Sequence, residues 1–325
     1  MKRPGWLLLL LLLTRNLTMA QPPETRFTFD HILDNREYFS DYAWPQTIFG
    51  ARLDAQAVFR LDSVHRVGAG LNYMYEFGGA IRDVPLTVDL YYHMNLSGFS
   101  LYLGSFPRDG VVEHPLFMLT DTLDYYRPNI EGASVTLNDG WGKFQAWIDW
   151  TGRESASRRE QFLAGIDSRI SRGILFLEPS LVMYHNARSL DPNDGEPIQD
   201  NGALSVLGGA NLAGPAGLKE LWLATGYAAS YNRLRPDPVL WSDGWMIRGA
   251  AAYRIFALRG VYYHGDPLHV EYGEPFYRSG NYGRIGLFVD PFPKPAFRAK
   301  LGWNLHVVGG EGVHHSQQLV LTIRF

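Results

Sequence analysis

From about Gln46 to Phe325, apolar residues occupy every second position, with charged and amide side chains between them. Phe297, Ala299, Leu301, Trp303, Leu305 and Val307 alternate with Arg298, Lys300, Asn304 and His306. Phe49, Ala51, Leu53, Ala55, Ala57 and Phe59 alternate with Arg52, Asp54, Gln56 and Arg60, and the series Val67 to Phe77 repeats the register around Arg66, Asn72 and Glu76. Successive side chains on a strand point to opposite faces, so each segment has one face without charge and one polar face. A soluble sandwich buries the first kind of face and hydrates the second. The reverse arrangement, an apolar wall around a polar lumen, belongs to a closed barrel in a membrane, where an open sheet edge cannot exist.

The start of the chain supports that choice. Lys2 and Arg3 precede Trp6 and the leucines Leu7 to Leu13, followed by Thr18-Met19-Ala20, the layout of an export signal cut before Gln21. The apolar run is too short to span a bilayer as a helix. This divides the chain into a signal over 1–20 and one barrel domain over 21–325. With no cysteine, neither a lipid-anchored thiol nor a disulfide framework is available. Losing Lys2, Arg3 and Arg15 takes the formal charge from −3 to −6, which argues against nucleic acid as a partner. The 18 tyrosines and 9 tryptophans suit residues stationed at bilayer interfaces.

The pattern predicts strands over 25–34, 46–61, 65–77, 85–94, 97–106, 125–138, 141–151, 159–171, 174–185, 203–213, 219–232, 244–255, 257–264, 281–290, 296–308 and 313–325. The fold class is therefore all-β, a single closed antiparallel transmembrane barrel of about sixteen strands. Fourteen also satisfies the pattern, since alternation is poor over 25–34, 203–213 and 257–264. Connections largely alternate between short periplasmic turns, such as Asn138-Asp139-Gly140, and long extracellular loops over 35–45, 107–124, 186–202, 233–243 and 265–280, rich in Pro, Asp, Asn and Gly; only the last outer connection, Gly309-Gly310-Glu311-Gly312, is short. A miscount by one strand breaks that parity.

The end of the chain, Gln317, Leu319, Leu321, Ile323 and Phe325, resembles the C-terminal signature of Gram-negative outer-membrane barrel proteins. That resemblance implies an outer-membrane address, outer-membrane lipid around the wall, and a barrel-assembly machinery that reads Phe325. The chain also resembles porins, and in outline polysaccharide-export barrels. No motif here attaches an activity to the porin-like outline.

Assigning faces by alternation turns Arg52, Arg60, Arg66, Lys143, Arg169, Arg248, Arg254, Arg284, Arg298, Lys300 and Arg324 inward, with Asp54, Glu76, Asp89, Asp149, Asp167, Glu178 and Asp290. Most of the cations fall on the last and first strands, which become neighbours on closure; Asp89, Asp149, Asp167 and Glu178 lie on the facing arc. A basic wall opposite an acidic one suits a selective passage. General porins fold a third loop into the lumen with acidic groups facing wall arginines, and 107–124, carrying Asp109, Glu113, His114, Asp121 and Asp124, is similar.

Chemistry is weakly signalled. Some outer-membrane barrels hydrolyse lipid acyl chains with a His-x-Ser pair, and His314 and Ser316 have that spacing. Counting back from an outward Phe325 turns both into the lumen, away from lipid, so the expectation is that the chain is not an enzyme. The ten histidines show no spacing of a metal site, and no cofactor is expected. The reading is a porin-like channel for small polar or anionic solutes, an acidic saccharide among them. Its rivals are a lipid acyl hydrolase and a plugged structural or adhesion barrel acting through 186–202 and 265–280. Oligomeric state is not legible.

Overall fold

The computed structural model describes residues 22–191 and 195–325; the signal expected over 1–20 lies outside the described residues. Sixteen strands follow one another: β1 (Glu24–Glu37), β2 (Gln46–Arg60), β3 (His65–Glu76), β4 (Thr87–Leu96), β5 (Phe99–Pro107), β6 (Asn129–Asp139), β7 (Gly142–Gly152) and β8 (Gln161–Arg172). The second half comprises β9 (Leu175–Asn186), β10 (Gln199–Asn211), β11 (Glu220–Leu234), β12 (Leu240–Tyr253), β13 (Phe256–Gly265), β14 (Asn281–Val289), β15 (Phe297–Val308) and β16 (Gly312–Arg324). Each pairs antiparallel with its sequence neighbours, and β16 returns to β1 to close the barrel. The last residue takes part in the seam, where Phe325 N donates to Phe27 O at 2.9 Å. No ladder edge is left to lipid, as a bilayer requires.

The sixteen-strand reading holds, with shifts at several ends. The strand expected over 125–138 starts only at Asn129, because Pro128 has no N–H for the ladder and a helical turn, α1 (Leu123–Tyr126), precedes it. The third extracellular loop therefore runs over 108–128. The poorly alternating segments are all strands, β1 and β10 starting earlier than the pattern shows. Arg254, assigned to the lumen, instead sits in the turn after β12 with φ 54, its guanidinium 5.2 Å from the Tyr253 ring centre.

The faces follow the alternation. Leu53, Leu71, Leu103, Ile166, Leu223, Leu258, Leu287 and Leu301 are exposed to the surroundings, while Asn72, Ser134, Ser205, Asn304 and His306 are buried. Aromatic residues gather outward near both ends, Tyr75, Phe77, Trp241 and Trp245 at the outer rim and Trp141, Tyr253, Phe256 and Phe297 at the periplasmic one. This is a transmembrane β-barrel. Leu301→Arg should cost about 2–4 kcal/mol in folding into bilayers, the range for a cation at the lipid-facing midplane. Lys300→Arg, one residue away on the lumen side, should leave folding unchanged. Equal effects in a urea titration in lipid vesicles contradict these faces.

Candidate functional site

The lumen is not empty. From the third loop, Val112, Phe117, Met118, Leu119 and Leu123 enter its outer half, and from the seventh, over 266–280, come Leu268, Val270, Phe276 and Tyr277. All of these are buried against wall residues such as Phe106, Ile130, Trp147, Val182, Ala228, Met246 and Tyr263. The two loops also pair with each other, Thr120 N donating to Tyr272 O at 2.7 Å and Glu274 N to Leu116 O at 2.8 Å.

One polar network interrupts this apolar plug, where strands from the two ends of the chain meet. Closure sets Arg36 opposite Ser316 and Asp34 opposite Gln318, while β15 sets Asn304 opposite Ser316 and His306 opposite His314. Arg36 Nη2 donates to Asp34 Oδ2 at 2.6 Å and to Asp121 Oδ1 of the third loop at 2.9 Å. Arg284 on β14 faces the other Asp121 oxygen and Glu274 Oε2, both at 3.8 Å, and donates to Asn304 Oδ1 at 3.0 Å. The third loop thus presents one carboxylate to two wall guanidiniums, and the seventh presents one to Arg284. Burial raises the Asp121 carboxyl, but Arg36 and Arg284 outweigh it and hold the group below its ordinary range. Glu274 has only the longer contact, and burial pushes it up to about 7.

Above this network of ion pairs sits His306, fully buried. Tyr38 OH lies 3.3 Å from its Nε2 and Tyr282 OH 2.7 Å from its Nδ1. Beside them, Ser316 Oγ accepts from Asn304 Nδ2 at 3.2 Å. With the ring proton on Nδ1, Tyr38 donates to His306 Nε2 and His306 Nδ1 donates to Tyr282. His314 stacks on Phe276 and accepts from Phe39 N at 3.3 Å. Its Nε2 is buried without a hydrogen-bond partner, Glu311 Oε2 being 3.9 Å away. The pair read from the spacing is present on the lumen face, and a second imidazole, His306 on β15, lies opposite His314 and two residues from Asn304, the partner of Ser316.

The other residues read from the sequence are scattered. Arg52 donates to Tyr125 O at 2.5 Å, Arg60 pairs with Glu24 at the periplasmic rim, and Arg66 lies opposite Arg60 in register. Arg248 lies over Trp222, Arg298 pairs with Asp290, and Lys300 lies over Phe288. Asp89 accepts from Gln56 and Asn129, Asp149 from Arg108 and Arg127, and Asp167 from Ser180. In the third loop Asp109, Glu113 and Asp124 are exposed, and only Asp121 reaches the wall arginines. His114 Nε2 accepts from Trp147 Nε1 at 2.7 Å; burial, then Arg108 and Lys143, lower its pKa to about 3, so it stays neutral. Asp34, Arg36, Tyr38, Glu274, Tyr282 and His306 were not singled out by the sequence. No local spacing marks them, since they come from three strands and two loops.

On the reverse side of the same wall the lipid face carries an apolar trough of about 610 Å³. Its floor is Gly249, Gly260 and Gly283 on three successive strands, and Leu223, Ile247, Leu258, Tyr262, Ile285 and Val307 rise around it. A Cβ at Gly260 would find its nearest neighbour 3.8 Å away and one at Gly283 3.7 Å away, so side chains missing there leave open space. The trough climbs from mid-wall to Asn281 and Gly309 at the outer rim.

Comparisons with solved structures give the fold. A loop-L8 deletion mutant of OmpT, an outer-membrane protein of Vibrio cholerae, aligns with TM-score 0.59 at 10% identity over 94% of this chain and 100% of its own. The anion-selective porin of Comamonas acidovorans aligns with TM-score 0.58 at 9% identity over 93% and 100%. Among curated proteins no sequence matches significantly. The sequence model of one family, described as Lipid A 3'-O-deacylase-type, matches residues 23–290. That match overturns the expectation of a non-enzyme. The expectation had rested on the inward face of His314 and Ser316 alone, whereas a lumen site just under the outer rim need not face lipid through the wall. Matched over most of its length, the chain belongs to the lipid A 3'-O-deacylase-type family.

Proposed function

We propose that the protein is an outer-membrane esterase that removes an ester-linked acyl chain from lipid A or a closely similar acylated glycolipid, with the outer-lumen network as its reaction centre. The observation that carries this reading is His306, buried at the outer end of the lumen with both ring nitrogens on tyrosine hydroxyls. A buried imidazole with both nitrogens on hydroxyls is an arrangement that can take up and return the proton of a weak nucleophile. In this reading Ser316 Oγ attacks the acyl carbonyl while its proton passes through Tyr38 to His306. The proton then goes to the departing sugar oxygen, and water hydrolyses the acyl-serine in the second half. Arg36, beside Ser316 in the register, and Asn304 supply positive charge and an N–H donor where the oxyanion forms. The loops that close the outer lumen exclude bulk water, which strengthens these interactions. The same filling speaks against the solute passage read from the sequence.

The trough supports a lipid substrate. Its upper end is at the height of the outer-leaflet headgroups and its lower end at mid-wall, the run of an acyl chain whose sugar lies over the rim. Gly260→Leu fills the floor at a strand position that any residue can adopt. It should raise KM for a long-chain acylated glycolipid about tenfold, a loss of about 1.4 kcal/mol. A short-chain water-soluble ester should be turned over unchanged. Equal kinetics of wild type and variant on the long-chain substrate remove the trough from the proposal.

A further inference from the structure

We propose that the periplasmic end of the lumen contains a second binding site, a pocket for a small oxyanion of the phosphate or carboxylate class, formed by Arg259, Arg298 and Lys300 around Phe288. The cavity there measures about 110 Å³. That is room for roughly three or four liquid waters, the scale of one such group.

The pocket is built by the backbone. Phe288 on β14 lies along the lumen wall where two glycines leave space: a Cβ at Gly286 would come within 2.7 Å of its ring and one at Gly302 within 3.0 Å. The ring presents its face to two cations from the flanking strands. Lys300 Nζ of β15 is 5.2 Å from its centre and the Arg259 guanidinium of β13 5.8 Å. Both are within cation–π range, which steadies them without neutralising them. Arg298, two residues before Lys300 and on the same face, is oriented by Asp290, its Nε donating to Oδ2 at 2.6 Å. The pocket thus gathers three cations and one carboxylate. Among the described residues neither Arg259 nor Lys300 has an ion pair or a side-chain hydrogen bond.

Three like charges on adjoining strands repel one another, and a structure that places them around a shared hollow meets that cost best when an anion occupies it. Arg298 lies at the periplasmic end of β15 and Asp290 just after β14, while the loop plug fills the outer half of the lumen. The ligand therefore enters from the periplasm, on the opposite side from the outer-lumen network. The hollow serves a bound group in a blind cup, and the site is independent of ester hydrolysis.

The test is calorimetric titration of the whole barrel in a neutral detergent, at low salt, with inorganic phosphate and separately with acetate. A parallel arm uses vesicles containing an anionic phospholipid, to distinguish a lipid headgroup from a free anion. Wild type should bind at least one of these probes saturably. Arg259→Gln with Lys300→Gln should weaken that binding at least tenfold with the barrel's heat-modifiable mobility unchanged, and added salt should weaken it in wild type because exposed charges are screened. If the double variant does not fold, Arg298→Gln, at the rim of the wall, should give the same loss. The absence of saturable binding of all three probes to wild type, or equal affinity in a folded variant, overturns the proposal.

Discussion

Replacing His306 by phenylalanine should slow acyl release by about 10²–10⁴-fold, the usual contribution of a positioned acid–base group. Phenylalanine fills the space among Tyr38, Tyr282 and Phe276, which all lie within aromatic contact of the imidazole. It removes both ring nitrogens and leaves two buried tyrosine hydroxyls without their partner. The rate loss should therefore come with a modest loss of stability, so barrel integrity is checked by heat-modifiable migration. The readout is the initial rate of fatty-acid release at saturating substrate. An unchanged rate in a folded variant moves the base away from His306, and His314, with its unpartnered Nε2, becomes the next residue to replace.

The second large effect is expected at Asp121. This side chain joins the third loop to both wall guanidiniums, and its removal leaves Arg36 with Asp34 alone and Arg284 facing only Glu274. Breaking a buried ion pair from one side costs about 3–5 kcal/mol. The lower end applies here, because a quarter of the Asp121 side chain is exposed. Asp121→Ala should release residues 108–128 from the wall, seen as new protease cleavage within the loop and a rise in single-channel conductance over a nearly silent wild type. Asp109→Ala, an exposed neighbour in the same loop, should change neither. High conductance in wild type, unaltered in Asp121→Ala, returns the protein to the passage reading.

Much of the wall was legible because a strand's two faces are written at alternate residues. Leu301 and Asn304, or Leu71 and Asn72, reveal which way each strand faces without knowledge of any partner. The parity of short and long connections made the count even for the same local reason, and left fourteen or sixteen. Strand ends were less legible, since Tyr125 and Tyr126 fit the pattern of a strand yet form a helical turn packed in the lumen against a cluster that includes the wall residues Ile32, Ile48 and Met74. The site was legible only in fragments. Arg284, Asp121, His314 and Ser316 carry charge or spacing that draws notice, but their meaning depends on closure. Tyr38 reaches His306 across 268 residues of sequence, and Glu274 meets Arg284 only because the seventh loop turns inward. A wall read one strand at a time assigns Arg298 and Lys300 to a general basic surface; their grouping with Arg259 appears once β13, β14 and β15 lie side by side.

The most direct test of the enzymatic account is the mass of the glycolipid product. Purified wild-type protein in mixed micelles is incubated with lipid A, and both the lipid and the released acid are followed by mass spectrometry. The account predicts loss of one ester-linked acyl chain, appearance of the matching free fatty acid in equal amount, and absence of both with Ser316→Ala in a folded barrel. Intact lipid A after prolonged incubation with folded wild-type protein, or equal release by Ser316→Ala, contradicts the reaction centre proposed for the outer lumen.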